Sequence, residues 1–252
     1  YDPIMCLILQ GRKVTTVGDR TFSASAGDCI IVSHDLPVVA RITDATESSP
    51  YLAMVAKLDL SELRSLYDEV GDAEHAADQP SAYAVGPADS AVLDVMTRYA
   101  TLDDAASCRV LAPLIRRELH YRLLTTHNGA MLRELLRRDS HASGITRAIR
   151  IIRERFRESL EVPELARSVG MSTSAFHKHF KEVTTTTPLQ YQKSLRLTEA
   201  RRLLWTGSHS VSSAAFAVGY ESPTQFSREY SRKFGSAPKE VLKRGVAQAT
   251  AP

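Results

Sequence analysis

The 252-residue chain predicts an α+β protein of two domains, an antiparallel β domain with added helices followed by a domain that is helical throughout. Three observations carry that expectation. Short β-rich runs punctuated by glycine fill roughly the first 57 residues, and helical apolar spacing takes over beyond about residue 140. Charge divides at the same place: residues 1–140 hold 14 Lys+Arg against 20 Asp+Glu, a net −6, whereas residues 141–252 hold 18 against 9, a net +9, with no Asp at all. A basic domain carried by an acidic one points to a polyanion as partner of the second half. The stretch "LRRDSHASG" reads as the boundary, which gives expected domains of 1–138 and 139–252.

Along the first domain, "IMCLILQG", "VTTVGD", "TFSASAGDCIIVS", "PVVARIT" and "YLAMVAKL" are strand-like runs separated by Gly11, Gly18, Gly27 and Pro37, the pattern of an antiparallel sheet or small barrel. "DLSELRSLYDEV" predicts a helix with Asp59 or Ser61 as N-cap and Leu60, Leu63, Leu66 and Tyr67 on one face. The polar stretch from Gly71 to Pro87 reads as a loop. Helices follow around Ser90 to Leu102 and through "APLIRRELHYRLLTT", where Leu111, Ile115, Leu119 and Leu123 recur every four residues and Pro113 marks either a first turn or a kink. That apolar face fits core packing and equally a homodimer contact.

Several function classes are excluded or disfavoured at this stage. The chain has no apolar run of about 18 residues, so no membrane helix is expected, and no secretory signal stands near Tyr1; a cytoplasmic protein without a membrane partner is the reading. Cys6, Cys29 and Cys108 are odd in number and widely spaced, which argues against a disulfide framework or a cysteine zinc site. Cys6 and Cys29 lie in strand runs and read as small buried hydrophobes. No nucleophile, paired-carboxylate or metal set suggests an enzyme on the β domain, and no activating motif beside a thiol suggests a repair activity.

The second domain contains a repeat. "LARSVGMSTSAFHKHF" aligns with "AAFAVGYESPTQFSREY", matching Ala166 to Ala215, Val169 to Val218 and Gly170 to Gly219 at an offset of 49. One extra residue in the second turn makes the offset 50 beyond it, matching Ser172 to Ser222, Phe176 to Phe226, Phe180 to Tyr230 and Pro188 to Pro238. Each copy reads as helix, glycine turn, Ser-capped helix, with Pro223 at the first helical position and Gln225 three residues after its cap. The aromatics fall on a buried stripe. Ser174, His177, Lys178 and Lys181 point outward in one copy, and Thr224, Gln225, Ser227, Arg228, Ser231 and Arg232 in the other, residue types suited to base edges and phosphates. Between the copies, "TPLQYQKSLRLTEARRLLWTG" predicts one helix from Thr187 as cap to Gly207 as stop, a rod of about 28 Å. Such a rod suits two recognition helices one turn of B-DNA apart, about 34 Å.

These residues resemble the DNA-binding domain of the AraC/XylS family of transcriptional regulators, through "ELARSVGMSTSAFHKHFKEV", "TPLQYQKSLRLTEARRLL" and "AAFAVGYESPTQFSREYSRKFGSAP" within residues 145–244. The resemblance implies base-reading residues at Ser174, His177 and Lys178, and at Thr224, Gln225, Ser227 and Arg228. It makes Arg196 and the caps Ser172 and Ser222 phosphate candidates. One departure stands out: the family usually has Gly where "TTTTP" places Thr185. Residues 1 to about 125 resemble the N-terminal domain of one AraC subgroup through "CLILQGRK", "GDCIIVSHDLPVVARI", "PYLAM" and "LAPLIRRELHYRLL", beginning late in that pattern. This implies a cupin-like β-barrel with helices that senses a small-molecule effector and often dimerises. His34 has no H-x-H partner, so neither metal nor cofactor is expected. The function expected is sequence-specific binding of promoter DNA, with activation or repression nearby and RNA polymerase as a further partner.

Overall fold

The computed structural model describes residues 3–33, 36, 38–71, 82–137 and 140–242. The chain divides into two compact units, Tyr1–Thr146 with Lys178–Thr186, and Arg147–His177 with Thr187–Pro252.

In the first unit, β1 (Ile4–Gln10), β4 (Asp28–Val32), β6 (Leu52–Lys57) and β7 (Tyr83–Pro87) form a sheet in the order β6-β1-β4-β7. A second sheet joins β2 (Arg12–Val17), β3 (Arg20–Ser25) and β5 (Val38–Asp44) in the order β3-β2-β5. All strand pairs are antiparallel. The sheets face one another, β3 lying against β1, β4 and β7, with the Phe22 and Tyr83 rings 4.7 Å apart between them. Helices α1 (Leu60–Val70), α2 (Ser90–Ala100), α3 (Ala105–Thr125) and α4 (Ala130–Leu136) cover the other face of the four-stranded sheet.

This layering explains why "IMCLIL" is a continuous apolar run. Strand β1 is central and buried on both faces, so alternation is not required of it. Met5 and Leu7 turn with Cys29 and Ile31 into the helix-facing core. Cys6 and Ile8 are also buried, and so is Ile30 of β4. Both strand cysteines are buried, and burial raises each thiol, that of Cys29 to about 12. Cys108 is exposed.

Three sequence expectations need correction. The supposed Gly71–Pro87 loop contains β7, whose short run "YAVGP" completes the sheet beside β4. Helix α3 starts earlier than expected, at its Asp104 cap, and runs through Pro113, which lies in its interior. Leu111 is 42% exposed, so the buried stripe consists of Ile115, Leu119 and Leu123. Helix α4 was not anticipated; its seven residues pack Met131, Leu132 and Leu136 into the same core. Asp59, Asp89 and Asp104 cap α1, α2 and α3 by accepting first-turn amides.

One buried polar group couples this unit to pH. His120 is fully buried, its Nδ1 2.8 Å from Glu62 Oε2, while its Nε2 accepts from the Asp59 amide at 3.2 Å. An amide donor on Nε2 requires the neutral ring. Burial pushes the imidazole below its ordinary value although Glu62 opposes the shift. The unfolded chain therefore binds the proton more readily, and stability is full above the ordinary histidine pKa of about 6.5 and lost as pH falls toward the lower folded value. Thermal unfolding at about pH 7.5 and about pH 5.5 is expected to show a drop in midpoint that is smaller in His120→Gln, because that variant removes the linked proton.

Helix α5 (His141–Glu154) passes from the first unit into the second. The second unit contains α6 (Val162–Ser168), the start of α7 (Thr173–Thr184), α8 (Pro188–Trp205), α9 (Val211–Ala217) and α10 (Pro223–Phe234). Its core gathers Leu197, Ala200 and Leu204 of α8, Ala214 and Ala215 of α9, and Phe226 and Tyr230 of α10.

Candidate nucleic-acid interface

The two copies of the repeat close their turns with the same hydrogen bonds. In the first, the Met171 amide donates to Ala166 O at 3.0 Å and the Gly170 amide to Arg167 O at 3.1 Å. In the second, the Tyr220 amide donates to Ala215 O at 3.0 Å and the Gly219 amide to Phe216 O at 3.0 Å. Gly170 and Gly219 are left-handed, φ 74° and 87°, where a Cβ is disfavoured. Ser172 Oγ then accepts from the Ala175 amide and Ser222 Oγ from the Gln225 amide, both at 3.3 Å. Thr187 and Ser210 cap α8 and α9 in the same way. Phe176 and Phe180, like Phe226 and Tyr230, are fully buried, which makes these aromatics core and leaves the opposite faces of α7 and α10 open.

On α7, Ser174, His177 and Lys178 are exposed. Ser174 Oγ lies 3.2 Å from the hydroxyl of Ser172, also exposed, and Lys178 Nζ lies 4.0 Å from Glu182, a pair too loose and solvated to hold the lysine. On α10, Thr224, Gln225 and Arg228 are exposed, whereas Ser222 and Ser227 are partly buried. Ser227 Oγ donates back to Pro223 O at 2.9 Å. The outward face of α10 is thus led by Thr224, Gln225 and Arg228.

Arg196, partly buried, lies among main-chain carbonyls. Its Nε donates to Phe156 O at 2.7 Å, Nη1 to Gly219 O at 2.7 Å, and Nη2 to Arg157 O at 3.1 Å and Glu158 O at 2.8 Å. Gln192 Nε2 adds a bond to Glu158 O at 2.8 Å. The guanidinium donates to four main-chain carbonyls and so forms an internal clamp joining α8, the segment after α5 and the second glycine turn. Five donors in a planar fork suit that task. Burial lowers the pKa of Arg196, with Tyr220 and Glu221 opposing.

Sequence reasoning also missed Glu229. Tyr220 donates to its Oε2 at 2.7 Å, Lys193 Nζ to Oε1 at 2.9 Å, and Gln225 Nε2 to Oε1 at 3.3 Å. Burial would raise this carboxyl, but those hydrogen bonds outweigh it and hold it below the usual carboxylate range. The acid is therefore an orienting group within the motif, tethering an exposed Gln one turn away. The only sequence signal was the Gln225–Glu229 spacing of four.

Among the described residues no group of three or more His, Cys, Asp or Glu could hold a metal ion, and no helix is long and apolar enough to cross a membrane. His34 lies outside the described residues.

Comparison with known proteins agrees with this geometry. Residues 1–131 match the family model described as the AraC-type transcriptional regulator N-terminus, and residues 165–244 match a helix-turn-helix domain. The chain is similar to the HTH-type transcriptional activator RhaS of Escherichia fergusonii, 32% identical over 90 residues, 36% of this chain and 32% of that protein. It is similar to the HTH-type transcriptional regulator ArgR of Pseudomonas aeruginosa, 30% identical over 152 residues, 60% of this chain and 45% of that protein. The chain thus spans less than half the length of these curated relatives. Among solved structures, unsaturated fatty acid bound ToxT of Vibrio cholerae covers 96% of this chain and 86% of its own at 12% identity, with a TM-score of 0.63, a likeness of fold. With more than half of its length matched by the N-terminal family model, the chain belongs to the AraC-type transcriptional regulators.

Proposed function

We propose that the protein is a cytoplasmic, sequence-specific regulator of transcription that lays α7 and α10 into two adjacent major-groove segments of one duplex. In this reading residues 139–252 contact DNA and residues 1–138 sense a small-molecule effector, with RNA polymerase as the partner at the promoter and no catalytic step. The observation that carries it is the duplicated turn geometry: two helices with buried aromatic backs and exposed hydroxyl, amide and basic fronts, Ser174, His177 and Lys178 on one, Thr224, Gln225 and Arg228 on the other. α8, at 18 residues, supplies a rod of about 27 Å between the copies. The fold neighbour ToxT was solved with an unsaturated fatty acid bound, which supports a small-molecule sensing role for the first unit.

Selection of bound sequences from random DNA by the full chain tests the reading, and the recovered site should span two segments about one helical turn apart. Binding should weaken steeply with salt as counterions are released. Arg228→Ala is expected to relax base preference at one position and to cost about 1 to 3 kcal/mol there. Equal weakening on every sequence would make Arg228 a phosphate contact instead.

A further inference from the structure

The repeat supplies an internal control for one residue. At the offset of 50, Thr185 after α7 corresponds to Gly235 after α10. Both residues are left-handed, φ 60° and 70°, and both donate the same closing bond, Thr185 N–H to Lys181 O and Gly235 N–H to Ser231 O, each 2.8 Å. Glycine is the residue that this conformation favours, and Thr185 is the one non-glycine in it among the described residues. A β-branched side chain there is kept for what the side chain does.

What it does lies within the first unit. Thr185 is buried and its Oγ1 donates to Val17 O at 2.6 Å, at the end of β2. Gly18, next in the β2–β3 turn, sits so close that a Cβ on it would collide with the Thr185 carbonyl oxygen. A second tie runs from the Ala82 amide, just before β7, to Val183 O at 2.9 Å, a helix-end carbonyl without an intrahelical donor. His179 of α7 stacks on His141 with centroids 3.9 Å apart. At Gly235 a Cβ would meet nothing within 4 Å, so the second copy has no counterpart of this contact. With the ties made, Lys178, in the same unit, remains exposed.

We propose that Thr185 is a positioning residue, the latch by which the β2–β3 turn of the effector-sensing unit sets the pose of the first recognition helix. The inference rests on the reading that α7 enters a groove. It assigns the two copies unequal exits: Thr185 after α7 carries a side chain tied to β2, whereas Gly235 after α10 carries none.

The test compares full-length wild type, Thr185→Ser and Thr185→Gly on the DNA site that wild type selects, footprinting the two groove segments separately and following amide exchange in parallel. Thr185→Gly should fold, because glycine suits the backbone. It is expected to bind the α7 segment about fivefold more weakly, the order of one buried hydrogen bond, with less than about twofold change at the α10 segment. Exchange of the Ala82 amide should quicken by a similar factor, and Thr185→Ser, which keeps the hydroxyl, should match wild type in both. A residue that merely ends a helix would be improved by glycine. Unchanged or tighter binding by Thr185→Gly, or Thr185→Ser as weak as Thr185→Gly, overturns the latch. Failure of wild type to select any sequence would instead remove the regulator reading, and the exchange comparison at Ala82 would still decide whether the latch exists.

Discussion

Arg196→Ala should destabilise the helical unit by about 2 to 3 kcal/mol, because it removes charge-assisted hydrogen bonds and leaves carbonyls with lost partners. The four acceptors belong to Phe156, Arg157, Glu158 and Gly219, contributed by two stretches of chain. Arg196→Lys should recover little of the loss, since one ammonium cannot reproduce a fork that reaches both stretches at once. Urea unfolding of the full chain, followed through the helical signal, reads the effect. DNA binding should fall on all sequences alike while the salt slope is preserved. A phosphate contact would behave in the opposite way, lowering the slope by about one and sparing the stability.

Gly219→Ala should be more damaging than Gly170→Ala, although both glycines end the first helix of a motif with nearly the same backbone. Around Gly170 a Cβ would find open space, so alanine there meets only the left-handed penalty of about 1 to 2 kcal/mol. At Gly219 the same atom would strike the Arg157 main chain, at the place where Arg196 draws that segment in. The added overpacking brings the expected loss to about 3 kcal/mol or more. Midpoints of urea unfolding for the two variants check this, and equal midpoints would show that the Arg157 segment yields easily. The asymmetry also separates fold from recognition, since neither glycine offers a side chain to DNA.

The repeat could be read without coordinates because each of its parts has a local cause: a left-handed turn, a hydroxyl cap, an apolar period of three and four. The strands of the β unit were legible for the same reason, since β-branched runs between glycines have few other uses. β7 was not, because "YAVGP" is short and its burial depends on β4, a partner far away in sequence. Leu111 fitted the period of α3 but lies beyond the reach of the neighbouring core, so periodicity placed it on the right face and misjudged its exposure. Arg196 shows a similar limit. Its motif marked it as important, yet only the carbonyls converging on it reveal that its charge is directed inward. Thr185 was visible as a departure, and its meaning came from Val17, 168 positions away in the chain.

The choice of capping residues differs between the two units, with Asp59, Asp89 and Asp104 in the first and Ser172, Thr187, Ser210 and Ser222 in the second. Aspartate would cap about as well and would add a favourable interaction with the helix macrodipole. A neutral hydroxyl adds no negative charge at those four ends, and none of the four helices carries an acid in its first turn, which suits the proposed approach to a polyanion. Some intrinsic helix stability is forgone in exchange for caps that add no negative charge of their own.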